Sequence, residues 1–135
     1  MLVLGFDYGT QKIGYAIGNT LTGSAQPLGA LKARDGVPNW NEIEQLLQEW
    51  KPSKVVVGNP LNMDGTDSDL SKRATKFANR IHGRFGIEIQ LVDERLTSSE
   101  AKSFAKARGH RGDFESNPID ADAAALIVES YLSAQ

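Results

Sequence analysis

Leu2-Val3-Leu4-Gly5-Phe6-Asp7-Tyr8-Gly9-Thr10 carries an apolar strand straight into an acid and then a glycine turn. A carboxylate at the mouth of a hydrophobic core is costly unless a partner or a cation neutralises it. Asp7 therefore has two readings. It is either an Asx-type cap of the turn, common for Asp before Gly, or one member of a polar site assembled from distant parts of the chain. Residues 12 to 19 form a second strand, which makes Tyr8-Gly9-Thr10-Gln11 the turn of an antiparallel hairpin.

Outward from that hairpin, a third strand spans residues 25 to 33. Pro38-Asn39-Trp40-Asn41-Glu42 opens a helix with Asn39 as N-cap and Glu42 three residues on; Trp40, Ile43, Leu46, Leu47 and Trp50 form its apolar stripe, and Pro52 ends it. Lys54-Val55-Val56-Val57-Gly58 is a β-branched run of the kind buried on both faces in a parallel sheet, and it exits into a loop from Asn59 to Thr66. A long helix follows, with Leu70, Ala74, Phe77, Ala78, Ile81 and Phe85 as its buried stripe and Gly86 as its stop. Residues 88 to 93 are the fifth strand. Thr97-Ser98-Ser99-Glu100 is a capping box for a helix to about Arg108, Gly109 to Asn117 is a polar loop, and the last helix starts at Pro118. The predicted architecture is a single α/β domain: a mixed five-stranded sheet, three antiparallel strands and then parallel crossovers, flanked by helices.

At 135 residues the chain buries enough surface for a real core. It has no cysteine and two histidines, His82 and His110, which excludes thiol chemistry, disulfides and a histidine-built metal site. No apolar run is long enough to span a bilayer, and the N-terminus lacks the pattern of a signal peptide, so a cytoplasmic protein is expected. The net charge of -2 conceals a segregation. Between Lys72 and Arg111 ten basic residues face four acidic ones, a local excess of +6 that leaves -8 elsewhere. Such a chain can grip a polyanion with one part and present carboxylates with another. Solvated helix faces would produce the same pattern.

Three acids stand where an element ends or begins. Asp7 closes the first strand, Glu94 follows the fifth, and Asp120 opens the last helix. Ligands of open α/β sheets gather at strand ends, so these carboxylates are expected to converge. Asp120 shares a helix face with Ala124, Ile127, Val128 and Tyr131, whereas Asp122 lies about 200° round with Leu126 and Glu129. Asp120 is accordingly read as the inward acid and Asp122 as a rim residue, with helix-dipole stabilisation as the competing explanation of both. Clustered carboxylates repel one another unless a hard cation lies between them, and Mg2+ suits them, with Mn2+ as its substitute. Two such ions can activate water and stabilise the leaving oxygen at a phosphodiester. Acid cluster and basic segment together read as a metal-dependent nuclease.

Four blocks sharpen this reading: Gly5-Phe6-Asp7-Tyr8-Gly9-Thr10-Gln11-Lys12-Ile13-Gly14, Val57-Gly58-Asn59-Pro60-Leu61-Asn62-Met63-Asp64-Gly65-Thr66, Asp93-Glu94-Arg95-Leu96-Thr97 and Ile119-Asp120-Ala121-Asp122-Ala123-Ala124. Together they resemble the YqgF family, also called RuvX, over essentially the whole chain. The resemblance implies an RNase H-like fold related to RuvC-type Holliday-junction resolvases and a role in trimming the 5′ end of precursor 16S ribosomal RNA. It implies that Asp7, Glu94 and Asp120 are the catalytic, metal-holding acids, with Asp93 and Asp122 as further candidate ligands. Two positions depart from the family pattern, Asn59 and Asp122, where apolar or small residues are expected.

The implied partner is nucleic acid, structured RNA of a ribosomal precursor or branched DNA. Lys12, Lys72, Lys76, Arg80, Arg95, Lys106, Arg108, His110 and Arg111 are the candidate contacts, and Gly9 would let phosphate and metal approach the backbone. Three rivals remain open: a Holliday-junction endonuclease, which would act as a symmetric pair; a binding module of ribosome assembly with a vestigial site; and an ATPase of the actin and sugar-kinase type, suggested by Asp7-Tyr8-Gly9-Thr10 but requiring a second domain.

Overall fold

The computed structural model describes residues 1–62, 64–93 and 119–133, with backbone alone at 119 and 120. The hairpin is β1 (Leu2–Asp7) and β2 (Lys12–Asn19), antiparallel with Asp7 opposite Gly14. β3 (Ser24–Arg34) continues the meander, and β4 (Val37–Pro38) adds a two-residue edge strand that the five-strand expectation lacks. Its signal is the dipeptide Asp35-Gly36, whose positive φ angles of 48° and 81° suit the tight turn between paired strands. α1 (Trp40–Trp50) leads to β5 (Lys54–Asn59), α2 (Asp69–Phe85) to β6 (Glu88–Asp93), and α3 is Ile119–Ser133. The sheet order is β4-β3-β2-β1-β5-β6, with β1, β5 and β6 parallel. The helix and loop expected over residues 97 to 117 lie outside the described residues.

Local chemistry explains the boundaries. Asn39 caps α1 by accepting the Asn41 N–H at 3.0 Å, and Lys51 closes it in the left-handed conformation. Ser68 caps α2 by accepting the Ser71 N–H at 2.9 Å, and Gly86, at φ 67°, returns its N–H to His82.

Strand alternation sorts the side chains into two cores. Leu4 and Phe6 of β1, and Tyr8 just after it, face α1 and α2, together with Val55 and Val57 of β5. Val3 of β1, Ala16 of β2 and Val56 of β5 face α3. β1 is thus covered on both sides, which its apolar run requires. Gly5 and Asp7, one and two alternations beyond Val3, belong to the α3 face.

The two layers are tied at the sheet's far end by Lys54. Its Nζ donates to Tyr131 Oη at 2.7 Å and lies 3.0 Å from Glu88 Oε2, with the Lys54 side chain only 16% exposed. The Tyr131 hydrogen bond first, and Glu88 second, hold the Lys54 ammonium above its ordinary value of 10.5. A cation favoured in the folded state stabilises it below the unfolded pKa, and that contribution disappears as pH rises through the folded value. A Lys54→Met variant should therefore be less stable than the parent at neutral pH. In urea titrations across a pH series, the gap should close above pH 10.5; a gap constant with pH would contradict the assignment.

Candidate active site

Two glycines determine how α3 meets the sheet. A Cβ on Gly5 would lie 2.2 Å from Val128 Cγ2, and one on Gly18 would lie 2.4 Å from Val128 Cγ1. Val128 therefore sits in a notch that only hydrogen atoms leave open. Gly18 also neighbours Leu132, while Gly5 neighbours the Ala124 carbonyl, so α3 runs back along β1 as β1 runs forward. Two strand residues advance about 6.8 Å and four helix residues about 6 Å. The next inward position of β1 after Gly5 is Asp7, and the next turn of α3 before Ala124 is its first. The fold thus brings Asp7, half-buried, beneath the amino end of α3, where Asp120 stands in the backbone. That end carries the positive pole of the helix dipole, which favours carboxylates.

Asp122 requires a correction. It is not a rim residue: its exposure is 0%, and the helix buries Ala121, Ala125 and Leu132 as well as the expected Ala124, Ile127, Val128 and Tyr131. Asp122 lies about 120° round α3 from Val128, so its burial lies outside the face that meets the sheet, and one sheet-facing stripe does not account for it. The first turn of α3 carries two acids separated by one residue in sequence, and the Asp122 carboxylate is wholly inside the protein.

The parallel strands align their ends with Asp7. Phe6 pairs with Val57, Gly58 with Val92, and Asn59 with Asp93. Val92 packs in the α3 core and Leu91 in the opposite one, so alternation sends Asp93, which is exposed, away from Asp7's face. Glu94 lies outside the described residues, as do Arg95, Lys106, Arg108, His110 and Arg111. Among the described residues no three His, Cys, Asp or Glu side chains form a ready metal cluster. Asn59, the other departure from the family pattern, buries its Oδ1 without a hydrogen-bond partner among the described residues. Gly9 is demanded from within: a Cβ there would meet the Lys12 carbonyl at 2.5 Å.

The described cations fall on two faces. Lys12, exposed, pairs directly with Lys32 across β2 and β3, so both rise from the α3 face beyond Gly14. Sequence reading missed Lys32; only the strand register, shifted by a bulge after Tyr15, reveals it. Lys76 and Arg80 lie on the other side of the sheet, beside Tyr8, and Lys72, exposed one turn before Lys76 on the same helix, is not beside Tyr8 with them. His82 is exposed, and its Nδ1 donates to the Ile87 carbonyl at 2.9 Å.

A family described as "RuvX: Holliday junction resolvase" matches residues 1–134. The chain belongs to the RuvX family. Relatives from Azotobacter vinelandii and Shewanella denitrificans are 54% and 56% identical, each alignment covering 98% of this chain and 93% or 94% of the relative; both bear the name "Putative pre-16S rRNA nuclease". Among solved structures, T. thermophilus RuvC in complex with a Holliday junction substrate aligns with a TM-score of 0.61 at 17% identity, over 99% of this chain and 95% of that one. This likeness establishes that the RuvX-family chain has the RNase H-like fold of RuvC, as the sequence implied. Among the described residues, no helix is long and apolar enough to cross a membrane.

Proposed function

We propose that the chain is a metal-dependent nuclease that hydrolyses phosphodiesters at the 5′ end of precursor 16S ribosomal RNA. The observation that carries this reading is the placement of Asp7: a half-buried carboxylate at the end of the central strand, under the first turn of a helix that opens with Asp120 and buries Asp122. Whole-length relatives above 50% identity named as pre-16S rRNA nucleases supply the substrate.

The donors at this end are carboxylates, and the chain has no thiol, so the residues suit a hard divalent cation such as Mg2+. Asp7, Glu94 and Asp120 would hold it, and Asp122, buried on α3, would orient that shell. When bound, the metal supplies Lewis acidity to the scissile phosphate and lowers the pKa of an attacking water. The protein's own part is positional. β1 fixes Asp7 through backbone pairing on both sides, α3 brings its amino end over that carboxylate, and Lys12 with Lys32 draws the substrate backbone to the same face.

Junction cleavage is the second reading, favoured by the family's description and by the RuvC-like fold. Purified protein with Mg2+ should be given a precursor RNA spanning the 16S 5′ end and, in parallel, a four-way DNA junction. Cleavage of the RNA at the mature end, lost on adding EDTA, is the expected result. Cutting of the junction alone would transfer the assignment to resolvase, and EDTA-insensitive cutting would remove the metal from it.

A further inference from the structure

On the face of the sheet away from α3, the β3–β4 turn and the middle of α2 enclose a cleft of about 270 Å3. Its base is aromatic: the Phe77 ring lies 5.0 Å from Tyr8 and 6.0 Å from Trp40, centroid to centroid. Its wall is cationic. Arg73, Lys76 and Arg80 stand at i, i+3 and i+7 of α2, hence on one side of the helix, and all three line the cleft.

Asp35 is the acid in this lining, and it is already engaged. Arg73 Nη2 lies 3.1 Å from its carboxylate and 2.8 Å from its carbonyl oxygen. Lys76 and Arg80 form no ion pair among the described residues, so two positive charges converge on the cleft without a counter-charge. The Trp40 ring is occupied by Phe77 and by the Arg84 guanidinium, 4.5 Å from its centroid, so the cleft presents charge and N–H donors rather than a stacking surface. Its volume falls just below the roughly 300–1,000 Å3 of small-molecule sites. A phosphate with part of its sugar fits such a space better than a whole cofactor does.

The cleft is built rather than incidental. Tyr8 Oη donates to the Gly36 carbonyl at 2.8 Å, and the Gly36 N–H donates to Thr10, which ties the β3–β4 turn to the turn after Asp7. A Cβ at Gly36 would collide with Tyr8 Oη at 2.1 Å, so the turn can close on the tyrosine only through glycine. Tyr8 and Asp7 are consecutive and face opposite sides of the same strand end. A polyanion engaged at Asp7 can therefore continue past the Gly9-Thr10 turn and enter the cleft.

We propose that this cleft, walled by Lys76, Arg80 and the Asp35-paired Arg73, binds a backbone phosphate of the RNA on the side of the sheet opposite the acids. It anchors the strand there while Asp7's face holds the bond to be cut. This inference rests on the nuclease reading for its choice of RNA, but it is tested by binding alone.

Anisotropy of a labelled short single-stranded RNA, measured in EDTA across a salt series, reads the site without cleavage. Each phosphate contact on a single strand contributes a slope of about 0.7 in log Kd against log salt. Lys76→Gln/Arg80→Gln should weaken binding about tenfold and lower the slope by about 0.7 to 1.4. Lys76→Arg/Arg80→Lys, which keeps both charges, should retain the parent slope. Lys51→Gln, which removes a cation after α1 at the other end of the sheet, should behave as the parent. Parental affinity and slope in the Gln double variant would overturn the proposal, as would an equal loss in Lys51→Gln. Since no metal is present, failure of the cleavage assay leaves this result standing, and a failure here leaves the cleavage assay standing.

Discussion

Asp7→Asn is expected to reduce RNA cleavage by at least about a thousandfold, equivalent to about 4 kcal/mol of barrier, while fold and RNA affinity persist. The substitution keeps the size of the side chain and removes its charge. β1 pairs through its backbone with β2 and β5, and its neighbours Phe6 and Tyr8 are buried in the opposite core, so the strand is held in place independently of the charge on residue 7. A nuclease site does depend on it, because neutral Asn is a poor ligand for a hard divalent cation. The measurement is single-turnover cleavage of the precursor RNA beside anisotropy with the same RNA. Equal cleavage by variant and parent would leave the binding-module reading in possession of the fold.

The largest stability effect is expected at Gly5. Gly5→Ala places a methyl group where Val128 Cγ2 already lies, 2.2 Å away, in the middle of the central strand. Either α3 lifts from the sheet or Val128 leaves its rotamer, and overpacking of this kind typically costs about 1–3 kcal/mol and sometimes more. Val128→Ala alone empties part of the notch and should also destabilise. The double variant should be more stable than the sum of the two losses allows, since each change removes the other's cost. Urea unfolding of the four proteins checks this; strict additivity would mean that the notch does not set the seating of α3. Activity should fall with stability in Gly5→Ala, because the seating of α3 positions its amino end over Asp7.

Much of this frame was legible in the sequence because local rules and tertiary context agree. The Leu2–Asp7 strand, the Asn39 cap and the Gly86 stop each follow from one dominant local preference, and the structure places them at the expected residues. The β-branched run at Val55–Val57 gave its own burial away, since only a strand covered on both faces can afford to be apolar throughout. Where reading failed, the information was non-local. Asp122 is buried about 120° round α3 from Val128, the residue that meets the sheet, and helical spacing predicts only the sheet-facing stripe. Lys32 faces Lys12 only through a register that a bulge has shifted. The phosphate cleft needs Asp35 and Arg73, 38 residues apart, to meet across the β3–β4 turn. Charge periodicity on α2 marks the helix as basic without showing that three of its cations line one enclosure.

The central claim is that Asp7 is a ligand in a divalent-metal site under the amino end of α3. Calorimetric titration of Mn2+ into the parent and into Asp7→Asn tests it most directly, since it requires neither the substrate nor turnover. Saturable binding by the parent, with affinity lost or at least tenfold weaker in the variant at unchanged thermal stability, is the expected result. Equal binding by both proteins, or none by the parent, would contradict the account.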